Sequence, residues 1–205
     1  RPEAPARFVP RPAPEPGPAL PVQARIAARK GDPESVDLLV TVLGQSLDGL
    51  DQDGRTLLFY AVRGTRDDSG WLEPAGGSMA GPKATDFSQG CSQGDAAKHL
   101  VAKHGFDVNY QVHDTGMTPL MEAARYANAS TARTLLELRA EVQLQNAKGH
   151  TALDIARMAL PEYLELREVM CSANRWEAVK AKLDADRGAV AKLLEAAAGP
   201  APAPA

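Results

Sequence analysis

The sequence contains few aromatic residues and few cysteines, and both shortages restrict what the chain can be. Aromatic residues make up 5% of the 205 residues while 44% are hydrophobic, so the predicted core consists mainly of Ala, Leu and Val. Such small side chains suit helices that pack closely side by side. The two cysteines, Cys91 and Cys171, fit no CxxC or Cys/His spacing, which excludes a disulfide framework and indicates a reducing compartment.

The sequence also lacks a strong excess of charge and a long apolar run. The formal net charge is −3, and basic residues are scattered among acidic ones, so no electropositive stripe predicts nucleic-acid binding. No apolar run approaches the ~20 residues that a membrane-spanning helix needs, and the N-terminus shows no signal-peptide core. We therefore expect a soluble monomer in the cytoplasm or nucleus, with neither nucleic acid nor a membrane as its partner.

A motif that recurs at a fixed interval is the most informative feature present. Gly116-Met117-Thr118 and Gly149-His150-Thr151 lie 33 residues apart, and each precedes a short apolar stretch with helical spacing. In the first copy, Thr118 is expected to cap a helix that Pro119 begins. Leu135 lies in the second helix of the same unit. The pattern predicts two helices and a turn in each repeat.

These residues resemble the ankyrin repeat family, in which a β-hairpin or turn is followed by two antiparallel helices. The shared features are the Gly-x-Thr-Pro-Leu opening, an Ala-Ala pair, Leu-Leu and Ala-x-Val, and the match is strongest from Gly105 to Ala156. The resemblance implies an all-α solenoid of about four helix-turn-helix units with short β-hairpin or turn connections. The interval of 62 residues between Gly54 and Gly116, in place of 33, predicts a long inserted loop, and the apolar pattern after Leu160 predicts a C-terminal capping helix.

The register of the repeats predicts the domain organisation. The predicted segments are a Pro-rich disordered tail or linker at 1–22, the repeat array at 23–171, a capping helix or helix pair at 172–198 and a Pro/Ala-rich tail at 199–205. Within the array, the predicted units are 23–53, 54–115, 116–148 and 149–171, and the second contains an inserted loop at 64–94. The closing helix of the second unit is predicted at 95–103, and the second helix of the last unit from Pro161.

The segment after the array carries apolar residues at three- and four-residue steps. These residues are Trp176, Val179, Leu183, Val190, Leu193 and Ala197. The pattern predicts a helix, or a helix pair, that caps the open end of the stack, although Asp186 interrupts the stripe and Gly188 weakens the helix. A short coiled coil that joins two copies of the chain is the alternative.

The sequence departs from the family pattern at the helix starts and at one hairpin. The family typically has His after Pro-Leu, where it bonds the backbone and the threonine hydroxyl, but Phe59, Met121 and Asp154 stand there in this chain. Asn146 replaces the usual acidic residue of the last hairpin. The bonds of the family pattern must therefore be absent or rebuilt.

The resemblance also implies a binding surface on the concave side, where family members contact their partners. The corresponding partner-binding residues are Gln52, Asp53, Arg55, Asp114, Thr115, Met117, Lys148 and His150 at the hairpin tips, and Arg63, Arg125, Tyr126 and Met158 at the helix ends. Arg125 and Tyr126 are expected to contribute most, because Arg and Tyr are enriched among residues that dominate interfaces. Alternatively, Tyr126 covers the neighbouring repeat and Arg125 is a solvated charge.

No arrangement of residues predicts catalysis, a cofactor or a metal site. His99 and His104 are five residues apart on a predicted helix, which places them on different faces. We expect a non-catalytic module that binds a partner protein, or alternatively a regulatory or targeting segment of a larger enzyme or channel. A PxxPxR pattern at Pro2, Pro5 and Arg7 matches an SH3 ligand, although a spacer is the simpler interpretation of so Pro-rich a segment.

Overall fold

The computed structural model describes residues 8–10, 19–63, 91–158 and 173–199. Over these ranges the structure has eight helices and no strand. The helices are α1 (Val22–Lys30), α2 (Pro33–Thr41), α3 (Leu57–Arg63), α4 (Cys91–His104), α5 (Pro119–Arg125), α6 (Ala129–Glu137), α7 (Ala152–Arg157) and α8 (Ala173–Ala198). The SH3-like pattern, most of the inserted loop, the helix predicted from Pro161 and the C-terminal tail from residue 200 lie outside the described residues.

The helices form two layers, one made of the first helices of the units and the other of the second helices. The first helices of the units, α1, α3, α5 and α7, contact one another in that order. The second helices also contact one another in chain order, α2 with α4 and α4 with α6. The C-terminal helix α8 packs against α7, α6 and α5. Each unit therefore rests mainly on its sequence neighbours, which is the architecture of a solenoid.

The core of the stack is made largely of alanines and leucines. Ala61, Ala97 and Ala123 are completely buried, as are Leu57 and Leu135. Because an alanine extends only one carbon from the backbone, the helices that meet at these positions can approach closely. The core composition predicted from the scarcity of aromatic residues is therefore observed.

Side-chain caps begin the first helices of the last two units but not that of the second. Thr118 Oγ1 accepts from Met121 N at 3.2 Å, and Pro119 occupies the first helical position. Thr151 and Asp154 form a reciprocal capping box. Thr56 has a buried Oγ1 with no hydrogen-bond partner among the described residues. The hydrogen bonds that the family's histidine makes at the start of the first helix are thus replaced by bonds of Asp154 in the last unit. In the second unit, Thr56 Oγ1 makes no such bond to the part of the chain that the structure describes.

The structure differs from two of the predicted boundaries. The helix α4 begins at Cys91, so residues 91–94 are helical although they were predicted in the inserted loop. At the N-terminus, Leu20 is 5% exposed and lies in the core, and Ala19 forms a bridge with Leu50. Residues 19–22 therefore belong to the array and not to a disordered tail.

The C-terminal segment forms the single helix α8, which continues through Asp186 and Gly188. Of its described side chains, Arg187, Val190 and Leu194 are the buried ones. Leu194 therefore takes the core position that the sequence pattern assigned to Leu193, and Ala197 is exposed. The Arg187 guanidinium donates to the carbonyl oxygens of residues 155, 156 and 158. This bonding caps the C-terminus of α7, where a cation is favoured.

Among the described helices, none combines enough length with enough apolar character to cross a membrane.

Candidate docking surface

The turn at Gly54 is organised by the carboxylate of Asp51. Asp51 Oδ1 accepts from Asp53 N at 2.9 Å and from Arg55 N at 2.8 Å, while Oδ2 accepts from the Tyr60 hydroxyl at 2.8 Å. Gly54 has a φ of 73°, a left-handed conformation that glycine adopts without strain. The Asp51 side chain, which is 7% exposed, thus fixes the backbone of the tip, and the next two residues of the chain face solvent.

The turn at Gly149 is built in the same way from an amide instead of a carboxylate. Asn146 Oδ1 accepts from Lys148 N and from His150 N, both at 2.9 Å. In the first turn, Asp51 Oδ1 likewise accepts from the backbone N–H groups two and four residues further along the chain. The Asn that replaces the usual acidic residue therefore preserves the turn, because its oxygen is as competent an acceptor as a carboxylate oxygen.

The turn at Gly116 has no such acceptor. His113 occupies the position of Asp51 and Asn146, its Nδ1 is buried without a hydrogen-bond partner among the described residues, and its Nε2 lies 3.1 Å from Asp114 Oδ1. Gly116 N instead donates to Val112 O at 2.7 Å. This turn is therefore held by backbone hydrogen bonds, from Val112 N to Met117 O at 3.0 Å within the hairpin and from Ala147 N of the third turn to Thr115 O at 2.9 Å.

Two side chains link the three turns into one row. The Tyr110 hydroxyl donates to Gly54 O at 3.0 Å, which joins the first turn to the second. Gln111 Nε2 donates to Gly116 O at 3.3 Å and to Gln145 O at 3.0 Å, which joins the second turn to the third. We call this linked set of turns at Gly54, Gly116 and Gly149 the hairpin row.

Phe8 packs on the middle of the hairpin row. A Cβ atom placed on Gly116 would lie 2.8 Å from the Phe8 ring and 3.0 Å from Ala147 N. No side chain fits at Gly116 without displacing that ring. Glycine is therefore required here by close packing as well as by its φ of 65°.

The predicted tip residues differ in how much of each is accessible. Gln52, Asp53, Asp114, Thr115 and Lys148 are exposed, whereas Arg55, Met117 and His150 are half-buried. Arg55 turns back within its own tip, where Nη1 lies 2.7 Å from Asp53 Oδ2. The row therefore presents acidic groups at its first two turns and a lysine at its third.

At the helix ends, Arg63 and Arg125 both contact the ring of Tyr126. Arg63 donates from Nε at 3.1 Å and from Nη2 at 2.6 Å to the Tyr126 hydroxyl oxygen. The two guanidinium carbons lie 5.1 Å (Arg63) and 5.7 Å (Arg125) from the ring centroid, within cation–π range. Arg63 also forms an ion pair with Glu122, which is 1% exposed. Arg63 Nε lies 3.4 Å from Glu122 Oε1, and this contact does not have hydrogen-bond geometry.

Tyr126 is 4% exposed, so it presents almost no surface of its own. Burial, together with the nearby Glu122 carboxylate, raises the pKa of the Tyr126 hydroxyl, which keeps it neutral beneath the two arginines. This geometry corresponds to the alternative in which Tyr126 covers the neighbouring repeat. Arg63 and Arg125 are half-buried and are positioned by the tyrosine ring, whereas Met158 is 39% exposed at the end of α7.

Sequence reasoning missed the residues that build the row, namely Asp51, Tyr110 and Gln111. Asp51 carried a local signal, because an aspartate three residues before a turn glycine is a common turn former. Tyr110 and Gln111 carried none, since their bonds reach carbonyl groups of neighbouring units 56 and 34 residues away. Long-range bonds of this kind leave no periodic trace in one sequence.

The structure also corrects the prediction that His99 and His104 lie on different faces. Their ring centroids are 5.5 Å apart, and both Nε2 atoms lie 2.9 Å from Asp37 Oδ1. His104 is the last residue of α4. This group lies between the second helices α2 and α4.

Stacked helical hairpins linked by a row of turns define the class of helical-repeat solenoids. Residues 87–175 match the family model of ankyrin repeats, in three copies. The chain therefore contains ankyrin repeats, and the predicted family and its all-α solenoid fold are confirmed. A search of curated proteins found no match to the chain. The helices α1, α2 and α3 precede the matched range and extend the same stack by packing on it.

Proposed function

We propose that this chain is a non-catalytic module that binds a partner protein along the hairpin row and the adjoining ends of the first helices. Ankyrin repeats generally mediate protein–protein interaction and are typically non-catalytic, which supports the general class of function. The observation that carries the more specific proposal is the linkage of the three turns by Tyr110 and Gln111. A row fixed in this way binds without first paying the entropy of ordering its backbone.

The side chains that the row exposes suit a polar, mixed-charge interface. Asp53 and Asp114 offer carboxylates, and Lys148 offers an ammonium group about one repeat further along. Rim charges of both signs mainly determine orientation and partner choice, whereas buried anchors supply most of the binding energy. A stable contact of this kind would bury about 1,200–2,000 Å² in total.

Arg63 and Arg125 are the candidate anchors beside the row. Both guanidinium groups are held against Tyr126, so little side-chain entropy remains to be lost when they bind an acidic or carbonyl-rich segment. The contribution of Tyr126 is then to position the arginines, not to contact the partner. Substitution of Tyr126 by Phe, which removes the hydroxyl that Arg63 bonds, should weaken binding while preserving the buried ring.

Site-specific photo-crosslinking in native lysate tests the proposed surface. A photoreactive phenylalanine analogue at Gln52 or at Thr115 should capture the same partner, because both positions are exposed on the row. The matched controls are Lys98 in α4 and Arg133 in α6, which are also exposed but lie on the second helices. Capture from the controls with the same yield would contradict the proposal.

A charge-reversal variant gives an independent measurement on the partner so captured. Replacing Asp53 and Asp114 by Lys should lower the affinity at least tenfold if the row is the interface, with circular dichroism unchanged. Reversing Arg133 and Glu137 on the exposed side of α6 is the matched control and should leave the affinity unchanged. An unchanged affinity in the first variant would show that the partner binds elsewhere.

A further inference from the structure

One cluster of titratable side chains belongs to neither the core nor the hairpin row. Asp37 in α2 and His99 and His104 in α4 bring one carboxylate oxygen and two imidazole nitrogens within 4.8 Å of one another. Each Nε2 atom lies 2.9 Å from Asp37 Oδ1. The three residues come from neighbouring units and meet only when the array is folded.

The arrangement of the two rings is that of a chelating pair. An ionised carboxylate only accepts hydrogen bonds, so each Nε2 donates an N–H to Asp37 Oδ1 when no ion is bound, and coordination of an ion requires the neutral tautomer with its proton on Nδ1. In a tetrahedral Zn²⁺ site, ligand atoms bound at ~2.1 Å lie about 3.4 Å apart. The two nitrogen–oxygen separations of 2.9 Å need to open by about 0.5 Å to admit an ion, and the two nitrogen atoms lie within 4.8 Å of each other.

The neighbouring lysine favours binding through a single carboxylate oxygen. The Lys103 ammonium contacts Asp37 Oδ2, which leaves Oδ1 directed at the two imidazoles. The ordinary pKa of an aspartate is about 3.9, so this carboxyl is an anion throughout the neutral range. A permanently ionised oxygen ligand is what a divalent cation requires.

The burial of the cluster indicates a site that is partly enclosed and open on one side. The side chains of Asp37, His99 and His104 are 24%, 26% and 16% exposed. Three protein ligands with solvent on the remaining side leave a fourth tetrahedral position for water. Two imidazoles with one carboxylate suit first-row transition ions, whereas Mg²⁺ and Ca²⁺ prefer oxygen ligands alone.

We propose that Asp37, His99 and His104 bind one Zn²⁺-class divalent transition-metal ion, which links α2 to α4. The ligands come from sequence positions 62 and 67 residues apart, so the ion binds the folded array and not the unfolded chain. Its free energy of binding therefore adds to the free energy of unfolding of the array and stabilises the packing of the first unit against the second. The site is separate from the docking surface, and it stands whether or not the hairpin row binds a partner.

The test is a Zn²⁺ titration of the full chain, with Cys91 and Cys171 replaced by Ser to remove thiol ligands. Isothermal calorimetry should show one Zn²⁺ per chain, and the melting temperature should rise with Zn²⁺ concentration. The double variant His99→Gln, His104→Gln keeps side-chain N–H donors for Asp37 but removes both imidazoles. It should bind Zn²⁺ at least tenfold more weakly and lose the Zn²⁺-dependent rise in melting temperature.

Two controls make the result specific to the three ligands. His150→Gln removes a histidine from the hairpin row and should bind Zn²⁺ as the parent does. Lys103→Met removes the charge that contacts Asp37 without removing a ligand, and it should also retain binding. Three results would each overturn the assignment. They are no saturable Zn²⁺ binding by the parent chain, Zn²⁺ binding by the double His variant as tight as that of the parent, or a loss of Zn²⁺ affinity in Lys103→Met as large as that in the double His variant.

Discussion

The helix layers and the hairpin row are held together by different interactions. Between helices, the contacts come from closely packed apolar side chains such as Ala97, Ala123 and Leu135, none of which has a directional bond to satisfy. Along the row, single side chains such as Asp51 and Gln111 each hold two or more backbone groups. The stability of the array thus comes mainly from one region, while the other determines the shape of the exposed surface.

The middle turn shows what this difference means in a repeat protein. The turns at Gly54 and Gly149 carry their own acceptor, Asp51 or Asn146, whereas the turn at Gly116 has His113 there and is held by backbone hydrogen bonds, one of which comes from the third turn. Because each unit of a solenoid contacts the next, a bond missing within one unit can be supplied by another. A unit that lacks a family feature is therefore not necessarily an unstable unit.

The largest predicted effect follows from a change in the helix layers. Leu135 in α6 is completely buried, so Leu135→Ala should lower the free energy of unfolding by about 2–5 kcal/mol through lost burial and a cavity. Urea unfolding followed by circular dichroism measures this change. Leu136→Ala on the same helix is the matched control, because Leu136 is only partly buried and should lose clearly less. Equal losses would contradict the assignment of the core face.

A smaller effect is expected at the hairpin row. Asp51→Ala leaves two backbone N–H groups and the Tyr60 hydroxyl without their acceptor, which should cost about 1–3 kcal/mol. Asp51→Asn should cost less than about 1 kcal/mol, because Asn146 shows that an amide oxygen can hold this turn. Thermal unfolding of both variants measures the difference. If Asn were as damaging as Ala, the equivalence of the two turns would be wrong.

The smallest effect is a dependence of stability on pH at the capping box of α7. The backbone N–H of Thr151 donates to the Asp154 carboxylate and lowers its pKa in the folded chain. A lowered folded pKa means that this stabilisation is complete above the ordinary aspartate pKa of ~3.9 and is lost as the pH falls below it. The slope of stability against pH in that range should be shallower in Asp154→Asn, as measured by chemical unfolding at a series of pH values. An unchanged slope would exclude this contribution.

The repeating parts of the fold could be predicted from the sequence because their causes are local. The interval between Gly116 and Gly149, the cap at Thr118 and the proline after it together predicted the position of α5. The burial of Leu135 followed from helical spacing alone. Turn glycines, caps and apolar periodicity are properties of a few adjacent residues, and a single sequence displays them directly.

The parts that could not be predicted depend on contacts between units. Residues five apart on a regular helix are rotated by about 140° from each other, so spacing alone separates His99 from His104. In the structure, Asp37 of α2 lies opposite both residues, and its Oδ1 atom is the shared hydrogen-bond acceptor of the two rings. For Tyr126, residue type favoured a partner contact and left covering of the neighbouring repeat as the alternative; in the structure the residue is 4% exposed and its hydroxyl accepts from Arg63 of the preceding unit.

The contact between Phe8 and Gly116 has a consequence for any partner of the hairpin row. The ring lies on the middle turn, so it occupies space that a bound segment would need. If the hairpin row is the interface that we propose, Phe8 would be a tethered competitor, because it belongs to the same chain and its effective concentration does not change when the protein is diluted. A partner of that surface would then bind with its full affinity only after displacing Phe8, or else by incorporating the phenylalanine into a shared interface.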